Sequence, residues 1–141
     1  MGGAAELSKR FFSQKTIFLS TVFFLLAFFL WDGIEPRIVM DQEAYPVGTV
    51  RVTGVWRSAP WRAFDAGKNF SLERQANGYW QPVRGDEMLE ISIGITYRCG
   101  AQLDFSLAHY GALTPGCYRV CVQARGRGRA EERVYGVFEI L

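Results

Sequence analysis

Hydrophobic and polar residues follow two different patterns along this chain. Residues 16–31 read TIFLSTVFFLLAFFLW, an apolar stretch without charge, Gly or Pro. After Pro36, hydrophobic residues alternate with polar ones in short segments bounded by Gly, Pro or Asn. The first pattern has no polar face and predicts a single transmembrane helix. The second predicts antiparallel strands with one buried face and one solvated face.

The flanks of the apolar stretch predict its orientation in the membrane. Lys9, Arg10 and Lys15 precede it, whereas Asp32 follows it. The positive-inside rule then makes residues 1–15 a short basic cytoplasmic tail and places the rest of the chain outside the cytoplasm. The helix acts in this interpretation as a signal anchor, and its partner is membrane lipid.

A cleaved signal peptide is the alternative to an anchor, since it also has a basic segment followed by an apolar one. Cleavage requires small residues in an A-x-A-like arrangement, but residues 28–33 read FFLWDG. These bulky residues favour an uncleaved anchor. A secreted domain with a cleaved signal peptide is the less favoured hypothesis.

The remainder of the chain reads as an all-β domain. The alternating hydrophobic residues are Val50 and Val52, Phe70 and Leu72, Ile91, Ile93 and Ile95, Leu103, Phe105 and Leu107, and Tyr118, Val120 and Val122. Asn77-Gly78 predicts a type I′ turn between strands at 70–76 and 79–83, and a last strand covers 134–140. About six to eight short strands indicate a β-sandwich.

The predicted organisation has two further segments besides the tail and the helix. Residues 46–141 form the sandwich, and residues 32–45 form a linker or a first edge strand. The chain is 49% hydrophobic and 15% aromatic, which is enough for a core and excludes disorder as the dominant state.

Three segments together carry a family resemblance. Residues 113–120 (LTPGCYRV) place Tyr118 on a strand after a turn, as in a tyrosine corner, where the hydroxyl bonds back to upstream backbone. Residues 70–83 (FSLERQANGYWQPV) and 135–140 (YGVFEI) are similar to the hairpin and the closing strand of a bacterial immunoglobulin-like domain family. The resemblance covers roughly 46–141. It implies an immunoglobulin-like antiparallel β-sandwich on a membrane- or lipid-anchored surface protein, and it implies no activity.

The three cysteines predict neither a disulfide within the chain nor a metal site, and their odd number leaves an intermolecular disulfide as the alternative. Antibody domains carry a Cys two residues after the corner Tyr, and that position is Val120 here. Cys117 and Cys121 are four residues apart on one strand, about 13 Å, which is too far for a disulfide. Cys99 and the single His109 do not complete a zinc site with them. We therefore expect no metal and no cofactor.

The charge distribution argues against nucleic acid as a partner. From Asp32 onward the chain has 13 Lys and Arg against 13 Asp and Glu, so the domain is formally neutral. A neutral domain is not expected to present a phosphate-binding surface. Residues 125–129 read RGRGR, and we interpret them as a charged hairpin turn.

A repeated Trp-Arg pair gives the best candidate for a binding surface. Trp56-Arg57 and Trp61-Arg62 flank a short segment that contains Pro60. They form either an exposed aromatic and guanidinium patch for a protein or cell-envelope partner, or a structural element in which one Trp closes the end of the sandwich and the arginines are solvated. The structural interpretation is favoured.

No catalytic constellation is evident, so we do not predict an enzyme. The sequence lacks a G-x-S-x-G elbow and a second His. An extracytoplasmic enzyme would require Glu73, Asp104 or His109 to converge in a pocket. The sequence therefore predicts a membrane-anchored, non-catalytic binding or interaction module. An accessory or regulatory subunit of a membrane complex is the alternative.

Overall fold

The computed structural model describes residues 17–28, 30, 34–85 and 94–141. The predicted basic tail, residues 1–15, lies outside the described residues. Residues 86–93 also lie outside them, and with them Ile91 and Ile93 of the predicted alternation. The chain divides into two compact units, with the boundary between Ile34 and Glu35.

The N-terminal unit contains a helix. Residues 17–28 and 30 are helical, and the Thr21 hydroxyl donates to the Ile17 carbonyl at 2.9 Å, a bond that Thr side chains commonly make in helices. Most of its large hydrophobic side chains are exposed, from Val22 at 38% to Leu30 at 78%. Within the described residues, no helix combines the length and the apolarity needed to cross a membrane.

The described residues of the second unit, 35–85 and 94–141, form ten strands, which confirms the all-β prediction. They are β1 (Arg37–Met40), β2 (Ala44–Tyr45), β3 (Arg51–Arg57), β4 (Ala63–Gly67), β5 (Ser71–Ala76), β6 (Tyr79–Pro82), β7 (Gly94–Arg98), β8 (Gln102–Ser106), β9 (Gly116–Gly126) and β10 (Glu131–Ile140). One turn of 3₁₀-helix, Ala108–Tyr110, links β8 to the segment before β9.

The strands form two sheets. The smaller sheet has the order β1-β3-β8, and the larger has the order β2-β10-β9-β4-β7. β4 pairs with residues 124–126 of β9, and β5 pairs with residues 118–121 of the same strand. β4 and β5 therefore lie one after the other along the same side of β9. Every pairing is antiparallel except that of β2 with β10, which is parallel. The result is a β-sandwich.

The segment before residue 46 belongs to this sandwich. Of the two alternatives for residues 32–45, the structure shows strands: β1 lies at the edge of the smaller sheet and β2 at the edge of the larger. Ile38 on β1 is 5% exposed and packs where two glycines face inward. A Cβ on Gly54 or Gly136 would lie 2.8 or 2.9 Å from the Ile38 Cγ2 atom. The sandwich therefore begins earlier than the predicted residue 46.

The predicted hairpin is confirmed. Asn77 and Gly78 have φ values of 52° and 80°, the left-handed conformation that a type I′ turn requires. They join β5 to β6, within one residue of the predicted strand bounds. This turn explains why Asn, which tolerates positive φ better than most residues, occupies this position.

The core lies between the two sheets and follows the predicted alternation. Its buried residues include Val52, Trp56, Phe64, Leu72, Leu103, Phe105, Leu107, Tyr118, Val120, Val122, Val134, Phe138 and Ile140. The Tyr118 hydroxyl donates to the Thr114 carbonyl at 2.7 Å, which is the bond of a tyrosine corner. Val50 departs from the pattern, since it precedes β3 and is 64% exposed.

A polar cluster links β1 and β2 to β3 and should make stability depend on acid pH. Asp41 accepts hydrogen bonds from the Thr53 hydroxyl, at 2.5 Å, and from the Tyr45 hydroxyl. The bond from Thr53, followed by that from Tyr45, lowers the Asp41 pKa below its ordinary 3.8. Burial raises the pKa of Tyr45 to about 12, so this donor keeps its proton at neutral pH.

The depressed pKa of Asp41 gives the sign of the pH effect. The ionised carboxylate stabilises the fold above its ordinary pKa, and this contribution is lost as pH falls through the lower folded value. We expect Asp41→Asn to be less stable than wild type at pH 7, with a difference that shrinks below about pH 4. Urea unfolding across pH 2–7 measures it. Asp104→Asn, an exposed carboxylate on β8, is the control, and a pH-independent difference would contradict the prediction.

Candidate functional site

One end of the β-domain brings together segments that are distant in sequence. Ala63 at the start of β4 pairs with Arg98 at the end of β7, and Phe64 pairs with Gly126 at the end of β9. The loop between β3 and β4 and the turn between β9 and β10 therefore meet at this end. Strand register alone fixes the arrangement.

A cleft of about 260 Å³ opens at this end. Four arginines and one tryptophan account for most of its lining, which comprises Trp61, Arg62, Ala63, Arg98, Gly126, Arg127 and Arg129. We call it the arginine cleft. Trp61 is 41% exposed, so part of its large aromatic side chain is accessible where it lines the cleft.

The chemistry of the arginine cleft is that of anion recognition. Arginine keeps its charge at all relevant pH values and presents a planar fork of N–H donors that matches carboxylate and phosphate oxygens. None of the described residues that line the cleft carries a carboxylate, imidazole, thiol or hydroxyl group. The arrangement can therefore hold a negatively charged group, and its lining offers no nucleophile or general base.

The structure separates the residues of the predicted Trp-Arg surface. Trp61 and Arg62 line the arginine cleft, and Arg57 is exposed on β3 but does not line the cleft. Trp56 is 0% exposed, so its assignment to a surface was wrong. Its ring stacks on Tyr97 at 5.3 Å and packs against Phe64 at 5.3 Å. The burial of Trp56 agrees with the favoured structural interpretation, which gave a structural role to one of the two Trp residues. A partner surface at Trp61 and Arg62 stays a prediction.

Sequence reasoning missed three of the arginines. Arg98, Arg127 and Arg129 lie far from Arg62 in sequence, and only the pairing of β4 with β7 and β9 brings them near. The segment that supplies two of them was interpreted as a hairpin turn, and this is confirmed: the Arg129 amide donates to the Gly126 carbonyl at 3.0 Å. The turn presents its side chains to the cleft.

A second polar cluster lies on the outer face of the larger sheet. The Arg119 Nε donates to the Glu73 carboxylate at 2.5 Å. The same guanidinium lies 4.4 Å from the centre of the Trp80 ring and 3.9 Å from that of Tyr135. We call these four residues the Arg119 stack. The Glu73 carboxylate, one of the groups considered for catalysis, is thus engaged in an ion pair with Arg119. The two aromatic rings contact the guanidinium group of this pair.

The other residues considered for catalysis lie on different elements. Asp104 is exposed on β8, in the smaller sheet, and His109 is exposed in the 3₁₀-helix. Neither lines the arginine cleft. Among the described residues, no group of three His, Cys, Asp or Glu side chains is placed to hold a metal ion.

The three thiols have very different environments. Cys99 is exposed, Cys117 is half-buried and Cys121 is buried. Burial raises the pKa of both Cys117 and Cys121. Because the thiolate is the reactive form, burial and a raised pKa both slow reaction.

We expect the thiols to react in the order of their exposure. At pH 8 the folded full-length protein should incorporate one equivalent of iodoacetamide quickly, at Cys99, and a second slowly, at Cys117. Cys121 should react only after unfolding in urea. Mass spectrometry of time points identifies the sites, with Cys99→Ser as the control for the fast step. Fast labelling of Cys121 in the folded protein would contradict this order.

Comparison with known proteins adds a distant structural similarity. No family model matches the chain, and no curated protein sequence matches it. The chain is similar to a solved structure of the periplasmic chaperone SfaE, with 12% sequence identity and a TM-score of 0.38. The match covers 75% of this chain and 56% of that chain.

Proposed function

We propose that this chain is a membrane-anchored protein whose immunoglobulin-like domain lies outside the cytoplasm and binds a partner, without catalysis, through the arginine cleft. The observation that carries the proposal is the cleft itself. Four guanidinium groups converge there from three separate segments, an arrangement that attracts a negatively charged partner.

The immunoglobulin-like assignment rests on two details of the sandwich. The first is the bond from the Tyr118 hydroxyl to the Thr114 carbonyl at 2.7 Å, which is typical of a tyrosine corner. The second is the N-terminal segment, which pairs first with β3 in one sheet and then with β10 in the other. The first of them, the Tyr118 bond, agrees with the resemblance seen in the sequence.

The anchor assignment rests on the pattern of the N-terminal segment. The helical residues 17–28 expose most of their large hydrophobic side chains, which is costly in water and favourable in lipid. Lys9, Arg10 and Lys15 precede them, and this charge asymmetry supports an N-terminus in the cytoplasm. We propose that residues 16–31 hold the protein in the membrane.

Fractionation with thiol labelling tests the anchor and the topology together. We expect the full-length protein to keep its 16.0 kDa mass and to stay in the membrane pellet at alkaline pH. In intact cells a membrane-impermeant maleimide should label the exposed Cys99, whereas Cys99→Ser should abolish this labelling. A soluble product shortened near residue 32 would indicate a cleaved signal peptide. Labelling only after lysis would contradict the topology.

The exposed helix also supports a second role, as an accessory subunit of a membrane complex. Hydrophobic side chains that point outward from residues 17–28 can pack against other membrane helices as well as against lipid. Purification of the full-length protein in a mild detergent distinguishes the two roles. A stoichiometric companion subunit would favour the complex, and a monomeric particle would favour the isolated module.

A further inference from the structure

The arginine cleft lies at the end of the β-domain where the chain enters it. Arg37, the first residue of β1, pairs with Arg57, the last residue of β3. β3 then continues directly into the loop that carries Trp61 and Arg62. The segment that precedes β1 and the cleft are therefore at the same end of the sandwich.

We propose that the arginine cleft binds a phosphate group, and that the phosphate belongs to anionic lipid headgroups of the membrane that holds the chain. The proposal rests on the proposed membrane anchor. It names the partner of the cleft by its chemistry, and it adds a second membrane contact to the helix.

The composition of the cleft fits a phosphate. Guanidinium groups bind phosphate oxygens in pairs of parallel hydrogen bonds, and several of them around one group neutralise its charge. The volume of about 260 Å³ lies below the range of about 300–1,000 Å³ of pockets for larger ligands. The cleft therefore suits a single headgroup better than an extended ligand.

The length of the chain before β1 fits a lipid source. Residues 32–36 separate the proposed anchor from Arg37, and five extended residues span at most about 18 Å. This short connection sets an upper limit on the distance between the proposed anchor and Arg37. Trp61, which is 41% exposed beside the arginines, has the amphipathic ring that is enriched at membrane interfaces.

Thermal unfolding of the full-length protein in nanodiscs tests the proposal. One set of nanodiscs contains phosphatidylcholine alone, and the other contains phosphatidylcholine with one third phosphatidylglycerol. A ligand that binds only the folded state raises the midpoint of unfolding. We expect phosphatidylglycerol to raise the midpoint of the wild-type domain by about 4 °C, measured by far-ultraviolet circular dichroism.

A pair of double variants shows whether the cleft is responsible. Arg98→Gln with Arg127→Gln removes two exposed guanidinium groups of the cleft and should abolish the shift. Arg51→Gln with Arg84→Gln removes the same charge from exposed residues that do not line the cleft, and it should keep the shift. Equal midpoints of all three proteins in phosphatidylcholine confirm that the substitutions leave the fold intact.

Inorganic phosphate, added to phosphatidylcholine nanodiscs, distinguishes the two sources of the ligand. A cleft-dependent shift with phosphatidylglycerol and little effect of free phosphate supports the headgroup. If the midpoint rises with free phosphate but not with phosphatidylglycerol, and the rise depends on the cleft, the cleft binds phosphate and the proposed lipid source is wrong.

Two other results would overturn the proposal as a whole. One is a midpoint that neither phosphatidylglycerol nor phosphate changes, and the other is an equal loss of the shift in both double variants. A failure of the anchor is visible separately, because the chain would then not co-elute with the nanodiscs. In that case the titration with phosphate, made on the free full-length chain, still tests the cleft.

Discussion

Replacement of Trp56 by alanine should remove much of the stability of the β-domain. The indole is 0% exposed and lies between Tyr97 and Phe64, so its loss leaves a cavity in the core. Large-to-small changes of a buried aromatic residue cost about 3–5 kcal/mol, against a total of about 5–15 kcal/mol for a typical domain. Urea unfolding of the full-length protein in an uncharged detergent measures the change.

Two further variants separate cavity formation from other effects of removing this ring. Trp61→Ala deletes the same side chain where it is 41% exposed and should cost about 1 kcal/mol or less. Trp56→Phe keeps most of the packing and removes the Trp56 Nε1 group, a buried donor without a hydrogen-bond partner in the described part of the chain. It should cost clearly less than the alanine variant. Similar losses for Trp56→Ala and Trp61→Ala would contradict the assignment of Trp56 to the core.

Replacement of Arg119 by alanine should have the second largest effect. It removes the partner of Glu73, which is 8% exposed, and it removes the cation between the Trp80 and Tyr135 rings. Breaking a buried ion pair costs about 3–5 kcal/mol. The Arg119 side chain retains 18% exposure and Arg133 remains 3.9 Å from the carboxylate, so we expect about 2–4 kcal/mol.

The cause of this loss can be tested with the carboxylate removed as well. The double variant Glu73→Gln with Arg119→Met has no unpaired buried charge and should be more stable than Arg119→Ala. Arg125→Ala is the control, because Arg125 is an exposed arginine on the same strand, and it should change stability by about 0.5 kcal/mol or less. If Arg119→Ala behaves like Arg125→Ala in urea unfolding, the Arg119 stack does not stabilise the sandwich.

The β-domain was predictable because its constraints are local. Hydrophobic residues at every second position indicate which side chains face the core. The dipeptide Asn77-Gly78 indicates the left-handed backbone conformation of a type I′ turn. Even the burial of Trp56 follows from this rule, since it shares a parity with Val52 on β3.

The arginine cleft was not predictable from composition, because net charge says nothing about where charges meet. The chain from Asp32 onward, with Asp32 included, has equal numbers of acidic and basic residues, yet the pairing of β4 with β7 and β9 brings four arginines together at one cleft. The Arg119 stack was hidden for a related reason. Arg119 alternates as an outward residue. Tyr135 on the adjacent β10 and Trp80 on β6, which pairs with β5, cover its guanidinium group.

The division of the N-terminal segment between two sheets has a mechanical consequence. β1 pairs with β3 over four residues, and β2 then crosses to β10. The hydrogen bonds of such a ladder are perpendicular to the strand, so tension along β1 acts on all of them at once and does not peel them one by one. A force applied through a tethered N-terminus would therefore be resisted first by the β1–β3 pairing, loaded in shear. Unfolding under this force would have to separate β1 from β3 before it reached the core.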